Sequence, residues 1–244
     1  MRIGHPMLPR VAVLTAILLV VLSGQVLAAG STTPDEAVRE YMAALAAADA
    51  GRVLDASAID EMAEGHRFAE SVDRFKAFMP HLMMAPAEYP FYVEVNRAQR
   101  ADEILRQVLM LDYGLLSGET IDGSPLTPVD GAWAEGFVAQ VDPARLAGIE
   151  VMDARFPNPD LEVSERYLEN AAALAATYSA DELTERLVLF YFEGRTYALG
   201  FTLLRYGDTW LVSSQSSPIG GTSTFGTATP MTVEEYGSLV SGKS

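Results

Sequence analysis

Residues 190–201 read FYFEGRTYALGF, and this stretch decides the fold. Apolar and aromatic side chains alternate on both sides of Glu193-Gly194, a pair suited to the two-residue loop of a β-hairpin. The alternation predicts one strand over 184–192 and a second over 195–205, with Phe190 opposite Tyr197 and Val188 opposite Leu199. A second two-residue loop at Gly207-Asp208 leads into a third strand over 209–215.

In that register one face carries Val188, Phe190, Phe192, Tyr197, Leu199, Phe201, Leu203, Trp210 and Val212. The other carries Leu187, Leu189, Tyr191, Ala198, Gly200, Thr202, Leu204 and Leu211. The first face is too bulky and continuous to stand in water, so amphipathic helices elsewhere in the chain must cover it. The second is smaller and mixed, which suits partial exposure, a close approach at Gly200, or a dimer contact.

Upstream, Thr33-Pro34-Asp35-Glu36 opens a helix, with a hydroxyl cap, proline at the first helical position and a glutamate three places on as in a capping box. Val38, Tyr41, Met42 and Leu45 follow at helical spacing, and a short second turn passes through Val53 and Leu54. The pattern predicts further helices over 58–79, about 98–116 and 162–178, and a short strand over 89–95. Residues 118–160 are rich in turn signals, which predicts loops with short strands near 137–141 and 149–153. After Ser217 the run SPIGGTSTFGTATP reads as a mobile tail over 217–244, leaving a single α+β domain over 29–216.

The first 28 residues have the pattern of a secretory signal peptide: Arg2, His5 and Arg10 precede the apolar run VAVLTAILLVVLS, and small residues surround Ala28. The run is shorter than the roughly 20 residues of a membrane span, which predicts a secreted protein with no span after cleavage. The alternative is a leader retained as an anchor. The chain has no cysteine, so neither disulfides nor thiol chemistry is available and stability must come from a packed core. Removing Arg2 and Arg10 with the leader leaves 15 basic against 33 acidic residues. A surface this acidic repels phosphate backbones and anionic headgroups, which argues against nucleic acid or a membrane surface as partner.

The segment TPDEAVREYMAALAAADAGRVLD (33–55), together with the meander ending YALGFTLLRYGDTWLVSS (197–214), resembles the NTF2-like (SnoaL-like) α+β cone superfamily, in particular its secreted members. The resemblance implies N-terminal helices packed on a C-terminal curved antiparallel sheet, with an enlarged middle section over 57–182. That superfamily holds isomerases, dehydratases, cyclases, transport adaptors and many domains without catalysis, so it implies no single activity. Its enzymes place an aspartate, histidine or tyrosine inside the cone. No motif here matches theirs residue by residue.

Among chemistry-bearing residues Asp112 stands out, an acid within the apolar stripe LMLDYGLL. A carboxyl held among apolar groups has a raised pKa and can serve as acid or base near neutral pH, whereas a carboxyl at a helix end that reaches water or an arginine does neither. Tyr41, Tyr113, Tyr191 and Tyr197 are candidates to line the same pocket, each with an alternative reading as core. Met79-Pro80-His81-Leu82-Met83-Met84 joins thioethers and imidazole, a soft set suited to copper(I), although methionine also fills gaps in cores. His66 follows Asp60, Glu61 and Glu64 without the spacing of a zinc helix. There is no G-x-S-x-G elbow, P-loop or dinucleotide fingerprint, so no cofactor is predicted. The resulting expectation is an extracytoplasmic, non-catalytic binding or interaction domain for a small apolar ligand or a protein, with a homodimer through the second sheet face. The alternatives are a cofactor-independent isomerase or hydrolase using Asp112, and a metal chaperone using His81.

Overall fold

The computed structural model describes residues 31–80 and 83–242. The leader, His81, Leu82 and the last two residues lie outside the described residues, and with them the signal-peptide reading and the histidine of the soft metal set.

The meander forms as its alternation requires. Strands β2 (Glu182–Phe192), β3 (Arg195–Tyr206) and β4 (Thr209–Ser214) are antiparallel, with Phe190 opposite Tyr197, Val188 opposite Leu199 and Arg205 opposite Trp210. Glu193 and Gly194 both have positive φ, and so does Gly207 at the head of the second loop; these conformations match the twist of the flanking strands. Strand β1 (Glu150–Arg155) joins the outer edge of β2, and the short β5 (Thr229–Pro230) pairs with the start of β3. Edge strand β4 is shielded by backbone: Trp210 N–H donates to Ser31 O (2.9 Å), Val212 N–H to Ala56 O (3.0 Å) and Ala58 N–H to Val212 O (2.8 Å).

Helix α1 (Pro34–Ala46) starts as predicted, with the Thr33 hydroxyl accepting from Glu36 N–H and the Glu36 carboxylate accepting from Thr33 N–H. It crosses the first sheet face together with α2 (Ala50–Asp55) and the long α5 (Pro90–Ser117). Val38, Tyr41, Met42 and Leu45 meet Phe190, Phe192, Leu199, Phe201, Leu203 and Val212 in one core, and Phe190, Leu199 and Phe201 are fully buried. The first face is therefore core, as its bulk demands.

The second face is also covered. Helix α8 (Glu165–Ala176), which follows the single turn α7 (Pro159–Glu162), and α3 (Ile59–Gly65) pack against Leu183, Leu204 and Leu211, while the C-terminal α9 (Val233–Val240) sets Tyr236 and Val240 on Leu187, Leu189 and Ala198. The tail expected to be mobile is thus folded, and it occupies the face expected to be open to a dimer contact. Its apolar residues are few and lie beyond a Gly- and Ser-rich run, so periodicity hides them. Gly200 is where the chain comes closest: a Cβ there would lie 2.6 Å from Ser217 N and 2.2 Å from Thr222 Oγ1. Buried Glu185 accepts from Ser217 Oγ (2.5 Å) and Ile219 N–H (2.9 Å), fastening the same loop.

Three local expectations are corrected. Residues 89–95 are the start of α5, with Pro90 at its first position, so the proline signal outweighs the β-branched and aromatic composition. The helix over 58–79 is broken into α3 and α4 (Phe68–Phe75), because Arg67 N–H donates to Thr177 O (2.8 Å) and Gly65 is pressed against Tyr178 O. The strand near 137–141 is instead the end of α6 (Gly131–Gln140), capped by Asp130. The strand near 149–153 is present as β1.

Candidate functional site

Asp112 lies at the inner wall of a cavity of about 330 Å³, formed where the end of α1, the start of α2, one face of α5 and a 3₁₀ turn over Pro143–Gly148 fail to close on one another. Helical spacing on α5 puts Leu105, Val108, Leu109 and Asp112 on one stripe, and Leu45, Val53 and Leu146 complete the apolar wall. Among the described residues the other charged side chain in the lining is Asp49, which sits exposed at the rim and accepts Arg52 N–H (3.1 Å) as the cap of α2.

Asp112 Oδ1 is buried without a hydrogen-bond partner. Burial pushes its carboxyl up to about 6, against an ordinary value near 3.9. The native state therefore holds this proton more tightly than the unfolded chain, and stability falls as pH rises from about 4 to about 6. Asp112→Asn is expected to stabilise the protein by about 2–3 kcal/mol at pH 8 and by little below pH 4, as read by urea unfolding at both pH values. A gain independent of pH would contradict this electrostatic account.

The four candidate tyrosines do not converge here, and the cavity they were expected to share is lined by none of them. Tyr41 is fully buried beside Asp112, whose charge adds to burial in raising the phenol's pKa, but its hydroxyl donates to Gln215 Oε1 (3.0 Å). Tyr113 turns to α6, with its ring 5.1 Å from that of Phe137. Tyr191 lies at the hairpin end of the second face, where its own ring is exposed. Tyr197 stacks on Phe190 at 5.7 Å and borders a separate, more polar cleft with Arg145 and Glu193. Strand alternation and helix termini scatter these rings over four surroundings.

The sequence shows Leu109 and Asp112 within LMLDYGLL, but the wall they form with Leu105 and Val108 needs the 3₁₀ turn opposite, which lies inside the turn-rich stretch. A larger cleft of about 600 Å³ beside Met231 and Leu239 has a more polar wall. Of the soft set, Met83 Sδ accepts Met79 N–H (3.3 Å), and Met84 is packed in the core with Met62. His66 is buried with neither ring nitrogen hydrogen-bonded, and burial lowers its pKa. Among the described residues no three His, Cys, Asp or Glu side chains cluster as a metal site, and no helix is long and apolar enough to cross a membrane.

The architecture defines an α+β protein with helices packed on a curved antiparallel sheet whose edges do not close. It is similar to a solved cystatin-like protein from Ruminococcus gnavus ATCC 29149, at 21% identity and a TM-score of 0.53, over 75% of this chain. This chain spans 40% of the length of that protein. The expected NTF2-like resemblance is corrected by this neighbour, which is cystatin-like; the two are related cone folds, and helix-then-meander order does not tell them apart. No protein-family model and no curated protein matches the sequence.

Proposed function

We propose that this protein is an extracytoplasmic, non-catalytic binding domain that holds a small apolar ligand in the Asp112 cavity. The observation that carries the reading is an apolar cavity of about 330 Å³ with the Asp112 carboxyl in its inner wall. That volume is at the lower end of the roughly 300–1,000 Å³ range of ligand pockets, and a mainly apolar lining with one convergent polar group is their usual make-up. The leader pattern over residues 1–28 supports export. The strongly acidic composition supports a soluble partner and opposes nucleic acid.

The second reading, a cofactor-independent isomerase or hydrolase, is favoured by a carboxyl titrating near 6, within reach of neutral pH. Such chemistry also needs donors aimed at the charge that develops on the substrate. The side chains lining this cavity are apolar or acidic and offer none, which is why binding is the better reading.

Neutral apolar compounds of one or two rings, screened by thermal shift, are expected to stabilise the protein by about 2.7 kcal/mol at a hundredfold excess over Kd. Val108→Trp, which fills the cavity, is expected to abolish the shift. A shift that persists in Val108→Trp, or no binding by any apolar compound of this size, neutral or charged, would overturn the proposal.

A further inference from the structure

The charge in the cavity wall constrains the ligand further, if the cavity is the ligand site proposed above. Among the described residues, the charged side chains in the lining are Asp112 and Asp49. No arginine among the described residues lines the cavity: Arg145 is engaged by Glu193 and by the carbonyls of Leu116 and Gln140, Arg106 by Asp102, and Arg52, on α2 beside Asp49, is outside the lining. The hydroxyl of Tyr41, which feels the charge of Asp112, is given to Gln215. The cavity therefore offers acceptors and hydrocarbon and supplies no cation.

We propose that the ligand is a small apolar amine bound as its ammonium ion. The ammonium donates to the Asp112 carboxylate where that side chain lines the cavity, supplying the opposite charge, while the hydrocarbon rests on Leu105, Val108 and Leu146. Asp49 at the rim adds attraction for a cation, as does the acidic surface as a whole. An anionic ligand meets two like charges, and a neutral alcohol brings one donor without charge.

The test is calorimetric titration of the full chain at pH 7.5 with three compounds of one shape: cyclohexylmethylamine, cyclohexylmethanol and cyclohexanecarboxylate. The amine is expected to bind about tenfold tighter than the alcohol or better, and the carboxylate more weakly than both. Asp112→Asn is expected to bring amine and alcohol to within about twofold, and its urea-unfolding transition reports separately that the variant is folded. If wild type binds amine and alcohol alike, or Asp112→Asn keeps the preference, the amine inference fails and the apolar cavity reading stands. If none of the three binds and the neutral compounds of the thermal screen also fail, both fall together.

Discussion

Phe201→Ala is expected to destabilise the protein by about 3–5 kcal/mol. The side chain is fully buried at the centre of β3, with its ring 5.3 Å from that of Tyr41 at 71°, between Leu199 and Leu203 on the face that α1 covers. Removing it takes away apolar contact area and leaves a void that α1 and the sheet cannot fill without shifting together. The edge-to-face contact with Tyr41 adds to the loss. Urea unfolding should show the midpoint falling with the slope unchanged. Tyr191→Ala, two positions from the hairpin loop and 40% exposed, should cost less than about 1 kcal/mol by the same measurement. Similar costs for the two variants would mean that the sheet's two faces are not distinguished as described.

Gln215→Leu is expected to cost about 3 kcal/mol although it keeps the volume of the side chain. Gln215 is fully buried, and its amide joins three parts of the chain: Oε1 accepts the Tyr41 hydroxyl of α1, while Nε2 donates to Gln107 O of α5 (3.1 Å) and to Gly226 O of the C-terminal segment (2.6 Å). Its backbone N–H donates to Gln107 Oε1 (2.8 Å), and Gln107 in turn donates to Ser214 Oγ (2.9 Å) and Thr224 O (3.2 Å). A leucine strands the Tyr41 hydroxyl and the Gly226 carbonyl where water does not reach, at about 1–3 kcal/mol each. Adding Tyr41→Phe should recover about 1 kcal/mol, because it removes one stranded group; a double-mutant cycle measures this coupling. A loss under about 1 kcal/mol from Gln215→Leu, or additive effects of the pair, would refute the network.

This network shows why the C-terminal segment was not legible in the sequence. Gln107, Gln215 and Tyr41 carry no periodic signal, being polar residues 108 and 174 positions apart that acquire a role only once folding has excluded water around them. Tyr236, sealed beneath the second face with its hydroxyl donated to Leu187 O (3.1 Å), stands almost alone in a short capped helix. The meander was legible for the opposite reason. A period of two, two loops with glycine where positive φ is needed, and an unbroken aromatic face all specify the same register.

At the cavity, one residue was legible from its own helix. Asp112 is an acid on an apolar stripe, and a carboxyl so placed must shift its pKa wherever the stripe is buried. The tyrosines were not, since a phenol on a strand or helix can turn its hydroxyl to any nearby acceptor, and only the assembled partners decide which.

By itself, the sequence determined the α+β class, the three-strand register and its buried face, the capped start of α1, and an acid within an apolar helical stripe. All of these rest on contacts within one element or between neighbours joined by a short loop, where spacing is enough. The tertiary structure alone decided the break before α4, the seat of α9 on the second sheet face, and the gap between α5 and the 3₁₀ turn that makes Asp112 a cavity wall. Those depend on which distant backbone groups and side chains meet, and on what volume is left when they do, quantities that no local period encodes.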